Sequence, residues 1–110
     1  MRNRFKDLES GVVFRLADET AYLDGEITSR TLAQNVGTRL TIFAVERGES
    51  LETTVVEADA LALCLEGVAR ITVDGVEHKV EAGEALVIPV GAPRSVGACE
   101  RTKLLLIDIF

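Results

Sequence analysis

An Asp-Gly pair, Asp74-Gly75, stands between two runs of alternating apolar and polar residues. Val68-Ala69-Arg70-Ile71-Thr72-Val73 precedes it and Val76-Glu77-His78-Lys79-Val80 follows it. A two-residue type I′ turn needs positive φ at both central positions, which Asp and Gly tolerate and most residues do not. The segment therefore reads as a β-hairpin, and it sets the scale for the rest of the chain. Runs rich in Val, Ile, Leu and Thr recur at 38–46, 53–57, 60–66, 85–89 and 103–110. Turn signals at 47–50, 81–83 and 90–93 separate them. Short strands spaced by turns in this way predict an all-β sandwich or closed barrel. The first thirty residues carry weaker signals: a strand at Val12-Val13-Phe14, a helical turn within 18–23, and a strand from 27 to 34.

Two runs are apolar on both faces. In Ala60-Leu61-Ala62-Leu63-Cys64-Leu65 the small residues take the even positions and the leucines the odd ones. Leu104-Leu105-Leu106-Ile107 is apolar throughout. A strand apolar on both faces calls for a second layer outside the barrel. In a chain of this length a homodimer that buries one sheet face supplies it.

One hundred and ten residues suffice for a single core, so one domain over 1–110 is expected, with a barrel over about 36–110 and N-terminal strands or an arm over 1–35. The hydrophobic share of 47% excludes disorder as the main state. A formal net charge of −6 with no basic run disfavours nucleic acid as a partner. No apolar run approaches the length of a membrane span, and the charged start at Met1-Arg2-Asn3-Arg4 lacks the apolar stretch of a secretory signal. Cys64 and Cys99 match no zinc or redox spacing, and a reduced, cytoplasmic protein is the expectation.

From Gly48 to Gly97 the chain resembles the two consecutive motifs of the small single-domain cupins. The first of these runs glycine, five residues, His-x-His, three or four residues, Glu, six residues, glycine; here Gly48 opens it and Glu66-Gly67 closes it. The second runs glycine, five residues, Pro-x-Gly, two residues, His; here Gly83, Pro89 and Gly91 fall in place and Arg94 holds the histidine position. The Asp-Gly hairpin lies between the two, and 103–110 resembles the closing strand. The resemblance implies a double-stranded β-helix, or jelly-roll barrel, with a short N-terminal helical turn.

In metal-bearing cupins three histidines and a glutamate converge inside the barrel on iron, manganese, nickel or zinc. The matching positions here are Thr54, Val56, Ala60 (or Leu61) and Arg94. None is a good ligand for a divalent ion, and the chain has one histidine in all. A metal-free barrel with no cofactor follows as the expectation.

The residues left to line a pocket are Thr54, Val56, Ala60, Ala62, Cys64 and Arg94. Small side chains there leave space, and the guanidinium fork of Arg94 suits a carboxylate or phosphate. Three orientations of Arg94 are open: toward a bound small organic anion, toward an internal carboxylate such as Asp59 or Glu46, or toward solvent at the barrel mouth. Asp59 would need a strand bulge to turn inward as a general base, and otherwise occupies the turn before a strand. His78, just past the hairpin turn, reads as a surface residue. Cys64 reads as a core thiol and Cys99 as a rim or loop residue. Tyr22, Arg30 and Arg39 are candidates to cap the mouth.

Three functions fit these residues. The first is a metal-free module binding a small anionic metabolite through Arg94. The second is a metal-independent isomerase or lyase, which would need a converging acid and base. The third is a structural or interaction dimer whose pocket is filled by its own side chains. Fold alone does not choose among them.

Overall fold

In the computed structural model, which describes residues 2–53 and 57–110, one 3₁₀ turn at Leu16–Glu19 precedes the strands. Among the described residues these are β1 (Ile27–Gln34), β2 (Thr38–Val45), β3 (Ser50–Thr53), β4 (Asp59–Glu66), β5 (Val68–Val73), β6 (Val76–Glu81), β7 (Ala85–Ile88), β8 (Arg94–Ala98) and β9 (Thr102–Ile109). They form a five-stranded sheet in the order β1-β2-β9-β4-β7 and a four-stranded sheet in the order β3-β8-β5-β6. Every pairing is antiparallel. The two sheets face each other as a jelly roll, the fold that the resemblance implies.

The hairpin that anchors the sequence reading is β5–β6, in register from Val68 opposite Glu81 to Val73 opposite Val76. Its turn has φ of 49° at Asp74 and 80° at Gly75, as a type I′ turn requires. A second glycine is obligatory for a different reason. At Gly67, between β4 and β5, φ is 82°, and a Cβ there would collide with the backbone carbonyl of Arg101. The β4–β5 corner therefore closes against the loop before β9 only because position 67 has no side chain.

Alternation along each strand sorts the core into two layers. Inside the barrel, Ala60, Ala62 and Cys64 of β4 pack with Ala69, Ile71, Val80, Ile88, Val96 and Leu104 from the other strands. Outside, on the far side of the five-stranded sheet, Leu32, Ile42 and Leu105 are buried under Leu8 and Leu16 of the N-terminal segment, with Leu40, Leu63, Leu65 and Ile107 around them. The small-in, leucine-out pattern of β4 is therefore real, and the N-terminal arm supplies part of the second layer that those leucines demand.

Three local expectations need correction. Val12-Val13-Phe14 forms no strand: it follows a positive φ at Gly11, pairs with no other strand, and leaves its side chains largely exposed. The helical turn lies at Leu16–Glu19 rather than within 18–23, because Thr20 already returns to extended backbone. Strand β8 has no counterpart among the expected strands. Arg-Ser-Val-Gly-Ala has weak strand propensity, and its conformation is fixed by pairing with β3 on one side and β5 on the other. The strand expected at 53–57 falls largely on positions outside the described residues, and the strand in that region is β3.

Candidate functional site

Arg94 opens β8, opposite Thr53 of β3 and Val73 of β5. The alternation of β8 turns Arg94, Val96 and Ala98 inward, so the guanidinium enters the barrel. The inward face of β9 carries Leu104, Leu106 and Asp108, and the register sets Asp108 between Arg39 of β2 and Ala60 of β4. These positions bring two guanidinium groups to one carboxylate. Arg39 donates to Asp108 Oδ2 from Nε at 3.3 Å and from Nη2 at 3.1 Å. Arg94 Nη2 stands 3.9 Å from Asp108 Oδ1. The Asp108 side chain is 0% exposed and that of Arg94 4%, whereas Arg39 is 35% exposed and marks the mouth. Arg39 also lies over the ring of Phe110, 5.5 Å from its centre.

Asp108 is the residue that sequence reasoning missed. A lone aspartate in an apolar terminal strand, Leu104-Leu105-Leu106-Ile107-Asp108, was visible, but its partner Arg39 is 69 positions away. The carboxylates expected beside Arg94 are engaged elsewhere. Asp59 Oδ1 accepts the backbone N–H of Val90 at 2.9 Å and fastens the turn before β8. Glu46 Oε1 accepts from Arg101 Nε at 2.8 Å and from the backbone N–H of Arg47 at 3.1 Å. Those two donors hold its carboxyl below the usual carboxylate range.

Of the expected pocket residues, Ala62 and Arg94 line an interior cavity of about 40 Å³ together with Phe43, Ile88, Leu104 and Leu106, among others. Ala60 and Cys64 are buried in the same core cluster. Thr54 and Val56 lie outside the described residues. The small β4 residues pack beside the larger Phe43, Ile88, Leu104 and Leu106 of β2, β7 and β9 in the same sheet. Cys64 donates weakly to the carbonyls of Glu66 and Gly67, and burial pushes its thiol up from the ordinary value.

The other candidates are dispersed. His78 pairs in register with Ile71, a core residue, so it sits on the inward side of edge strand β6 and is half-buried rather than a plain surface residue. Tyr22 lies at the opposite end of the barrel from Arg94. Its hydroxyl donates to Glu66 Oε2 at 2.6 Å, and Arg101 and Lys103 flank its ring. Burial, and then the Glu66 carboxylate, raise the Tyr22 hydroxyl well above its ordinary value. Arg30 holds the arm instead of the mouth, donating to the carbonyls of Lys6, Asp7 and Glu19. His78, Tyr22 and Asp59 thus do not converge as an acid and a base.

A cation site of the family type needs several anionic or imidazole donors around one point. Among the described residues no three His, Cys, Asp or Glu side chains gather in that way. The third-histidine position instead delivers a guanidinium to a carboxylate already bound by another guanidinium. The described residues at this site therefore do not supply the donor set that a divalent metal of the family type requires.

A family model for the cupin domain matches residues 41–110. The chain belongs to the cupin family. Two solved structures follow this cupin over almost its whole length. A conserved protein of unknown function from Streptococcus pyogenes is 28% identical, covering 98% of this chain and 95% of that one, with a TM-score of 0.92. A cupin superfamily protein from Desulfitobacterium hafniense is 26% identical, covering 98% and 99%, also at 0.92. A cupin 2 conserved barrel domain protein from Leptotrichia buccalis is 34% identical over 88% of this cupin and 47% of its own chain, at 0.83. No curated protein matches the chain. Among the described residues of this cupin, no helix is long and apolar enough to cross a membrane.

Proposed function

We propose that this cupin keeps its barrel as a closed, metal-free scaffold and acts through its outer surface, as an interaction module that associates with a second copy of itself. The observation that carries this reading is the buried pairing of Arg94 with Asp108. The cation that replaces the family's third histidine already faces a buried carboxylate of the protein. The small interior supports the same reading. A cavity of about 40 Å³ is far below the roughly 300–1,000 Å³ of ordinary ligand sites.

Thermal melts test the proposal. Wild-type protein should melt at the same temperature with and without millimolar organic acids, phosphate or divalent metals, because only binding to the folded state raises the midpoint. Arg94→Leu should lower the midpoint of the ligand-free protein, as expected for a residue that balances an internal charge. A ligand-dependent rise in the wild type that Arg94→Leu abolishes would overturn it.

One observation favours a second reading, a small organic anion at the mouth. Arg39 is partly exposed and shares the Asp108 carboxylate with Arg94, so a carboxylate or phosphate arriving from solvent would meet a guanidinium first. Under that reading Arg39→Leu abolishes the thermal shift given by an organic acid.

A further inference from the structure

The N-terminal segment does not lie flush on the outer face of the five-stranded sheet. Between the two runs a groove of about 550 Å³. Leu32 of β1, Leu40 of β2 and Leu105 of β9 form its floor, and Phe5, Val12 and Phe14 of the segment are among its walls. That volume lies within the roughly 300–1,000 Å³ of ordinary small-molecule sites. The wall is held in place by its own hydrogen bonds. The backbone N–H of Lys6 donates to the carbonyl of Leu32 at 2.7 Å, and Arg30 Nη2 donates to the carbonyls of Lys6 and Asp7. Asn3 Nδ2 donates to the Leu8 carbonyl and to Ser10 Oγ, each at 2.8 Å, which ties residues 3–10 into a loop. The segment is thus pinned so that apolar side chains of the groove stay open to solvent: Phe5 and Phe14 are each 48% exposed and Val12 49%. Leaving such surface wet is unfavourable unless something apolar covers it.

The groove is polarised along its length. On one side it continues, past Phe5 and Leu40, into a second recess lined by Arg4, Gln34, Asn35 and Thr38. The ion pairs of the described residues engage other cations, and none engages Arg4. On the other side Glu9, Val12 and Phe14 border a recess that also holds Asp7 and Glu19. An occupant with an apolar body and one anionic head therefore fits in a single direction. Its head lies toward the Arg4 guanidinium and away from the three carboxylates.

Going beyond the closed-scaffold reading, we propose that this groove is a binding site for a free medium-chain fatty acid. The acyl chain lies between the N-terminal segment and the sheet, over Leu32, Leu40 and Leu105, and the carboxylate meets Arg4 at the polar end. The site is complete in a single copy of the chain. It lies on the far side of the five-stranded sheet from Arg94, so the interior takes no part. Short acids have no chain to lay in the groove, and they leave the melt unmoved, as the closed-scaffold reading also requires.

Equilibrium dialysis of the whole chain against decanoate, well below micelle formation, tests the site. One saturable equivalent per chain is expected. Octanoate, shorter by two methylenes, should bind roughly tenfold more weakly. Arg4→Gln should weaken decanoate about fivefold, the size of one exposed charge contact, and leave the neutral decanol unchanged. The double variant V12S/F14S should weaken both probes by roughly tenfold or more. Both of its positions are about half exposed, so its circular dichroism spectrum should match the wild type. Arg94→Leu should change none of these affinities. Absence of saturable decanoate binding overturns the proposal, whether a second copy then fills the groove or the segment binds phospholipid vesicles instead; a flat melt would still leave the closed scaffold standing. Binding that Arg94→Leu abolishes and V12S/F14S leaves intact would put the acid inside the barrel, and would overturn both readings.

Discussion

Asp108 and Arg94 reach each other across the barrel interior from strands of different sheets, β9 and β8, with 3.9 Å between carboxylate and guanidinium. Both side chains are buried, and Asp108 Oδ1 has no hydrogen-bond donor among the described residues. An acceptor left in that state is costly unless a charge stands near it, and Arg94 is that charge.

Removing one member of the pair should therefore cost more than removing both. Breaking a buried ion pair typically costs about 3–5 kcal/mol. Asp108→Leu belongs at that end, since it removes the one carboxylate that Arg39 binds and that faces Arg94 in the interior. Arg94→Leu should cost less, on the order of 2 kcal/mol, because Arg39 still serves Asp108. Urea unfolding of both singles and of the double R94L/D108L closes a mutant cycle. The double variant should be more stable than the sum of the two losses predicts.

At Gly67 the expectation is steric. Gly67→Ala must place a Cβ against the Arg101 carbonyl and the Thr102 hydroxyl, at a φ that L-residues rarely adopt. The blocking carbonyl is backbone and cannot swing away. A loss of at least about 2 kcal/mol is expected. Gly83→Ala has open space around the same φ range and should lose only about 1 kcal/mol. Comparing the two midpoints separates collision from backbone strain.

Glu46 predicts an acid limb. Its folded-state carboxyl is held below the ordinary range by Arg101 and by the N–H of Arg47. The stabilisation from that pairing is thus fully present above the unfolded value of about 4.3 and disappears as pH falls through the lower folded value. Glu46→Gln should melt below wild type at neutral pH, and the gap should narrow steadily below about pH 4.3. A gap that stays constant down to pH 3 would show that the carboxylate charge contributes nothing.

The two thiols should separate by reactivity. Cys64 is buried and its thiol is pushed up by desolvation, while Cys99 is exposed. Thiolate is the reactive form, so a disulfide reagent at pH 8 should titrate one thiol in the native protein and two in denaturant. Two fast-reacting thiols under native conditions would mean that the β4 end of the core opens readily.

Much of the barrel was legible because its signals are local. The β5–β6 turn is written in two adjacent residues, and the inward alanines and outward leucines of β4 follow from alternation alone. The framework glycines and Pro89 carry the spacing of the family's two motifs. What the sequence did not disclose depends on register between distant strands. Asp108 meets Arg39 only because β9 inserts beside β2, and β8 becomes a strand only because β3 and β5 flank it. Asp59 and Glu46 were reasonable partners for Arg94 by proximity in the chain, yet a backbone N–H and Arg101 had claims on them that no spacing rule reveals. Beside the small β4 residues lies a cavity of about 40 Å³, and Phe43, Ile88 and Leu106, which line it from three other strands, could not be placed there by spacing alone.

Strand β9 follows the other eight described strands in sequence and yet occupies the centre of the larger sheet, between β2 and β4. Until it arrives, β1–β2 and β4–β7 share no hydrogen bonds, and the inner charge cluster lacks its carboxylate. Only hairpins such as β1–β2 and β5–β6 can form from nearby residues, so productive assembly waits on the slow closure of long loops. A nascent chain emerging from the ribosome would hold its leucine-rich strands unpaired until this segment clears the exit tunnel. The outward leucines of β4 are exposed to aggregation until β9 pairs beside them, and β9 acts as the latch that ends that exposure.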